Sequence, residues 1–127
     1  MEWPEVFRRR TMGFALAVVR FCRTLPRDIE SDVFRKQLPR AGTSVGANYR
    51  ASCRGRSPRE TRAKLGIALE EADECDYWLS ILDHFKLGDL EQREWLKKEA
   101  LELTRILATA TRTMARQRCR TEDARRC

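Results

Sequence analysis

What this chain lacks narrows its chemistry before any motif is considered. A single histidine, His84, stands among 127 residues, which leaves few ligands for any metal geometry and one imidazole to pair with a nucleophile. The five cysteines, Cys22, Cys53, Cys75, Cys119 and Cys127, are odd in number and form no Cys-x-x-Cys pair. A disulfide framework or a zinc site needs paired spacings, so neither is indicated. Six glycines and four prolines are few for an all-β protein, which would need a turn every ten residues or so. No apolar run approaches the ~20 residues of a membrane span. The opening MEWPEVFRRRT carries two acids and no clean apolar stretch, so it does not read as a secretory signal. The expectation is one domain, cytoplasmic and without membrane contact.

The same inventory argues against catalysis. The segment AGTSVGAN lacks the Gly-Lys-Ser/Thr ending of a phosphate loop and the strand that precedes a dinucleotide fingerprint. Ser44 and His84 form no recognisable nucleophile–base motif. Glu70, Glu71, Asp73, Glu74 and Asp76 crowd one segment, but the Glu-x-x-His pairs of helical di-iron bundles are missing. No catalytic residue, cofactor or metal ligand is assigned, and an enzyme is not expected.

What is present is charge and helical periodicity. The net charge is +7, unevenly spread. Arg40 to Lys64 holds seven basic residues and one acid, and Arg105 to Cys127 holds seven arginines against Glu122 and Asp123. Gly66 to Asp83 holds six acids and no base. Basic surfaces attract phosphate backbones by counterion release, whereas an acidic helix docks basic partners.

Four amphipathic segments follow one another. The first starts after Pro4 and runs to about Thr24, with Val6, Phe7, Phe14, Val18, Phe21 and Cys22 on one stripe. The second takes Ser31 or Asp32 as its N-cap and carries Phe34, Leu38, Ala41, Val45, Asn48 and Tyr49, with Pro39 expected to kink or split it. Gly42, Ser44, Gly46 and Ala47 leave one of its faces nearly flat, which predicts a close helix–helix approach. Ser57-Pro58 with Glu60 is a helix-start signal. It opens a third helix to about Phe85 with Leu65, Ala68, Leu69, Ala72, Cys75, Tyr77, Trp78, Leu79 and Leu82 on its apolar face. Gly88 is the expected C-terminal cap. A fourth helix from Asp89 or Leu90 carries Trp95, Leu96, Ala100, Leu103, Ile106, Leu107, Ala110 and Met114. Cys22 and Cys75 read as small core residues, Cys119 and Cys127 as exposed thiols. The predicted fold is all-α, an antiparallel up-down-up-down four-helix bundle over residues 1–115, followed by a basic, disordered tail at 116–127. Trp78 and Trp95 fall on core stripes, which leaves Tyr49 as the exposed aromatic.

The stretch Ser44 to Leu82 carries a family resemblance. Ser44-Val45-Gly46-Ala47-Asn48-Tyr49-Arg50-Ala51, Cys53-Arg54, Arg56-Ser57, then Lys64-Leu65-Gly66-Ile67-Ala68-Leu69-Glu70-Glu71-Ala72-Asp73-Glu74 and Trp78-Leu79 resemble the bacterial four-helix-bundle family of the 23S rRNA intervening-sequence proteins. Its distant relatives include the accessory proteins of diversity-generating retroelements. With the flanking helices the resemblance covers about Val6 to Met114, and Pro39 departs from the pattern. It implies bundles that associate into homopentameric rings. The intervening-sequence members have no established activity, while the retroelement relatives bind a reverse transcriptase and nucleic acid through diffuse basic positions. No functional residue transfers one by one.

The resulting expectation is a non-catalytic oligomeric accessory protein that binds RNA or DNA backbone. The candidate phosphate contacts are Arg50, Arg54, Arg56, Arg59 and Arg62 in one cluster and Arg112, Arg116, Arg118 and Arg120 in another. Its partners would be further copies of itself, nucleic acid and a reverse transcriptase or ribonucleoprotein. The alternative is a protein–protein scaffold whose basic patches meet an acidic partner or the bundle's own third helix.

Overall fold

In the computed structural model, which describes residues 3–126 apart from the side chain at position 118, the chain forms four helices. They are α1 (Trp3–Cys22), α2 (Ile29–Cys53), α3 (Pro58–His84) and α4 (Leu90–Arg126). Short turns reverse the chain between them, so each helix lies antiparallel to the one before. α1 packs on α2, α2 on α3 and α3 on α4, and α4 closes back on α1 through the thinnest of the four seams. Among the described residues there is no strand.

Residues at three- and four-residue spacing fill the centre. Phe7, Phe14, Val18 and Phe21 of α1 meet Leu38, Ala41 and Val45 of α2, Ala68, Ala72, Cys75, Leu79 and Leu82 of α3, and Leu96, Ala100, Leu103 and Leu107 of α4. Two aromatic assignments reverse. Tyr49 is buried, edge-on to Phe7 with ring centroids 4.6 Å apart, because it continues the Leu38–Val45 stripe. Trp95 is 50% exposed, because the adjacent Leu96 holds the core register and turns its neighbour about 100° away. Tyr77 and Val6, also expected on apolar stripes, are exposed for the same phase reason.

The α1–α2 seam is the close one. A Cβ at Gly42 would stand 2.9 Å from both Val18 methyl groups, and one at Gly46 would stand 3.0 Å from the Thr11 hydroxyl oxygen. α2 continues through Pro39 as one helix, so of the expected kink or split, the split does not occur. A proline in a helix interior costs about 3 kcal/mol, while each fully buried Leu or Val stabilises by about 1.5–3 kcal/mol. Leu38 before the proline and Val45 after it are both fully buried, and breaking the helix would forfeit more than it relieved.

The helix ends follow local chemistry. α2 begins one turn earlier than expected: Asp28, in extended conformation, is the N-cap, and its carboxylate accepts the Ser31 N–H at 2.8 Å. Hydrogen bonding from Ser31, side chain and backbone together, holds the Asp28 carboxyl below its ordinary range. Ser57 caps α3 as expected, accepting the Glu60 N–H at 3.1 Å, while the Glu60 carboxylate accepts the Arg56 N–H at 3.4 Å. At the far end Lys86, not Gly88, takes the left-handed position, at φ 54°. The Lys86 N–H reaches Asp83 O at 3.2 Å and the Leu87 N–H reaches Leu82 O at 2.9 Å, the paired bonds of a Schellman motif. Gly88, at φ 77°, instead lets the backbone pass Phe21.

α4 does not stop at Ala115 but stays helical to Arg126, where a disordered tail was expected. ARQRCRTEDARR contains neither Gly nor Pro, and five of its twelve residues are Arg and two Ala, which extend an existing helix at little cost. The described side chains from Ala115 onward are exposed.

Candidate nucleic-acid interface

Antiparallel pairing gathers three arginine-bearing pieces at one end of the bundle: the start of α1, the elbow after α2, and the last turns of α4. The elbow itself is tight. The Arg54 N–H donates to Ala51 O at 3.1 Å and the Gly55 N–H to Ser52 O at 3.2 Å. A Cβ at Gly55 would collide with Thr61, so glycine is needed where the chain doubles back onto α3.

The predicted elbow cluster divides in two. Arg50 and Arg54 turn toward α1, where with Arg8, Arg9 and Glu5 they line a hollow of about 620 Å³ over Met12 and Leu16. Arg59 and Arg62 turn toward α4, lining a second hollow of about 430 Å³ with Met114, Gln117 and Arg125. Arg56 stands exposed at the elbow between them. Arg112, Arg116 and Arg120 are exposed on α4 and line neither hollow. The side chain of Arg118 lies outside the described residues.

Sequence reasoning did not single out Arg8, Arg9 or Arg125 as site residues. The signal was the Arg8-Arg9-Arg10 run combined with the antiparallel topology, which must set the start of α1 beside the end of α2. The third member of that run behaves differently. Arg10 faces α4 and makes a two-bond pair with Glu99, at 2.7 and 3.0 Å, across the thin seam. That hydrogen bond raises the Arg10 pKa.

The acidic helix is partly neutralised within the chain. Arg40 of α2 pairs with Glu71 at 3.1 Å and also with Glu74. Glu70 and Asp73 stay exposed, in one strip of α3 with the exposed Ile67 and Tyr77. Near the α3–α4 turn, Arg93 is buried and holds Asp83 at 3.1 Å while donating to the carbonyls of Leu87 and Gly88. The bonds from Arg93 and Lys97 hold the Asp83 carboxyl below its ordinary range.

The Ser44 hydroxyl donates to Arg40 O at 2.7 Å, and the exposed His84 ring packs edge-on against Phe85. Cys22 and Cys75 are buried, and burial pushes both thiols up to about 12. Cys53 and Cys119 are exposed, and Cys127 lies outside the described residues. Among the described residues no three His, Cys, Asp or Glu side chains converge to hold a metal ion, and no helix is long and apolar enough to cross a membrane. Trp78 is half-buried, its indole N–H donating to Glu74 at 3.3 Å. The exposed Trp95 lines a groove of about 660 Å³ between α1 and α4.

Comparison with known proteins agrees with this architecture. Among curated proteins no relative matches the chain. A crystal structure from Bacteroides thetaiotaomicron VPI-5482, of a protein with unknown function from the S23 ribosomal protein family, is similar to it. The TM-score is 0.77 at 31% sequence identity, covering 86% of this chain and 97% of that one. Residues 6–109, which span all four helices of the bundle and stop short of the α4 extension, match the family described as 23S rRNA-intervening sequence protein, and it is to this family that the chain belongs.

Proposed function

We propose that this protein is a non-catalytic, oligomeric accessory factor of the bacterial cytoplasm that binds RNA or DNA through its basic end, alone or with a reverse transcriptase or ribonucleoprotein. The observation that carries the reading is the concentration of charge. Arginines from the start of α1, the elbow and the last turns of α4 share one end of the bundle, while Arg40 is held apart from it, paired with Glu71 and Glu74 of the acidic helix. Such a surface attracts phosphates and releases counterions. With no recognition motif in the chain, these arginines position a backbone rather than read bases. The S23 ribosomal protein family to which the similar structure is assigned fits an RNA setting.

The homopentameric ring implied by the family resemblance belongs to the same proposal. Head-to-tail rings need two unlike faces on each subunit. The α3 strip of Ile67, Glu70, Asp73 and Tyr77 supplies an acidic, partly apolar face for the exposed arginines of the α4 extension in the next copy, which leaves Arg50 and Arg54 open to nucleic acid. That strip is also what favours the second reading, a protein scaffold, since it suits a basic partner as well.

Charge reversal at the elbow tests the binding claim. Arg54→Glu with Arg56→Glu should weaken binding to RNA and DNA of unrelated sequence alike, read by fluorescence anisotropy at fixed salt. Unchanged affinity after both reversals would remove the elbow from the interface.

A further inference from the structure

The hollow beside Arg50 and Arg54 is one end of a longer feature. A second hollow of about 270 Å³ shares Arg8, Met12, Leu16 and Arg50 with it and continues along the α1–α2 seam to Val19. A third, of about 340 Å³, shares Val19 and reaches Arg23, Arg27 and Arg35 at the opposite end of the bundle. Together they form a furrow along the outside of α1 and α2. From Glu5 to Arg23 it follows α1 for roughly 27 Å at 1.5 Å per residue.

Its floor and rims differ in kind. Met12 and Leu16 are about half exposed, and the floor between them and α2 is small and apolar, including Ala15 and Ala47. Arg8, Arg50 and Arg54 flank one end and Arg23 and Arg27 the other. Among the described residues none of these five makes an ion pair. Arg9 has Glu5 and Arg35 has Asp32.

We infer that the α1–α2 furrow is a binding site for single-stranded nucleic acid, its phosphates held by the arginines at both ends and its bases laid on the Met12–Leu16 floor. The inference rests on the nucleic-acid reading above and extends it to a surface where only Arg50 and Arg54 belong to the candidate clusters. Two arguments select this occupant. A duplex keeps its bases stacked inside and presents phosphates, so it would leave the apolar floor wet, whereas a single strand has free base faces to cover it. On the α3 of a second copy the exposed carboxylates Glu60, Glu70 and Asp73 are spread singly along about 20 Å of helix, whereas a phosphodiester strand carries a charge at every nucleotide along the whole furrow.

The test compares two neutralising pairs that change net charge equally. Arg23→Ala with Arg27→Ala removes the furrow end that lies far from the elbow. Lys98→Ala with Arg105→Ala removes two exposed cations from α4, outside the furrow. The probe is a fluorescently labelled 15-nucleotide single-stranded RNA of mixed sequence, titrated from 50 to 300 mM salt beside the same RNA as a blunt duplex. Five phosphates neutralised along a single strand predict a log–log salt slope of about −3.5, and the furrow pair should reduce its magnitude by about 1.4. The control pair should leave the slope unchanged, and the single strand should bind at least ten-fold tighter than the duplex. An equal loss from both pairs would overturn the furrow and leave the nucleic-acid reading standing. So would duplex binding as tight as the single strand, or a change of oligomer mass in the furrow variant, which would place another copy there. No binding of either probe by the unaltered protein would overturn both.

Discussion

Gly42 shows how a single hydrogen atom in place of a side chain governs the packing of two helices. Exchanging an exposed helical Gly for Ala gains about 1 kcal/mol of propensity. At Gly42 the new Cβ would press on both methyl groups of Val18 at 2.9 Å, and Val18 is β-branched and fully buried, with little freedom to turn aside. Overpacking of this kind costs about 1–3 kcal/mol, so Gly42→Ala should lower stability in urea denaturation. Gly66 has nothing within 4 Å of an added Cβ, and Gly66→Ala should raise stability by up to about 1 kcal/mol in the same experiment. Opposite signs for one chemical change, in one fold, separate close approach from propensity.

The buried thiols make a second residue-scale prediction. Cys22 and Cys75 have pKa values raised from 9.0 to about 12, so folding favours their protonated form. Their contribution to stability is complete below pH 9 and is lost as pH rises from about 9 toward 12. Equilibrium unfolding should therefore show falling stability across that window. A thiol reagent at pH 8 should label Cys53 and Cys119 in the native protein and spare Cys22 and Cys75. Labelling of Cys75 at the rate of Cys119 would contradict its burial.

At the scale of the helix, α4 divides into a packed part and an exposed part. Met114 is the last side chain packed against the core, and the described side chains beyond it are exposed. Ending the chain after Ala115 should leave the thermal midpoint within a degree or two while removing roughly a tenth of the helical circular-dichroism signal. A large fall in the midpoint would mean that the extension packs on something. The apolar positions ending at Met114 were legible in the sequence because they repeat at three and four residues. The helical extension was not, because without an apolar stripe the sequence carries only propensity, and propensity alone does not distinguish a disordered tail from the continuation of a packed helix. The start of α3 was legible because Ser57, Pro58 and Glu60 agree. The start of α2 was misplaced because Asp28, Ser31 and Asp32 are all cap-competent within one turn, and the burial of Ser31, which sets the choice, is a tertiary fact. Tyr49 and Trp95 exchanged places because each sits within one residue of a stripe boundary, where a 100° step decides between core and solvent.

At the scale of the whole molecule, charge is sorted by topology. Arg8 and Arg9 lie more than forty residues from Arg50 and Arg54 in the chain, and only the antiparallel pairing of α1 with α2 brings them around one hollow. The sequence revealed the separate basic stretches but not their grouping. The same pairing separates Arg59 and Arg62, which face α4, from Arg50 and Arg54, which face α1. The candidate interface is thus a basic end with two hollows, one continuing into the furrow, and an acidic strip on α3. The most direct measurement of the central claim is size-exclusion chromatography with light scattering, run on the protein alone and then with a 15-nucleotide single-stranded RNA at moderate salt. A particle of about five subunit masses that gains mass on adding RNA is expected. A particle of any size that elutes unchanged with RNA and with DNA would contradict the claim.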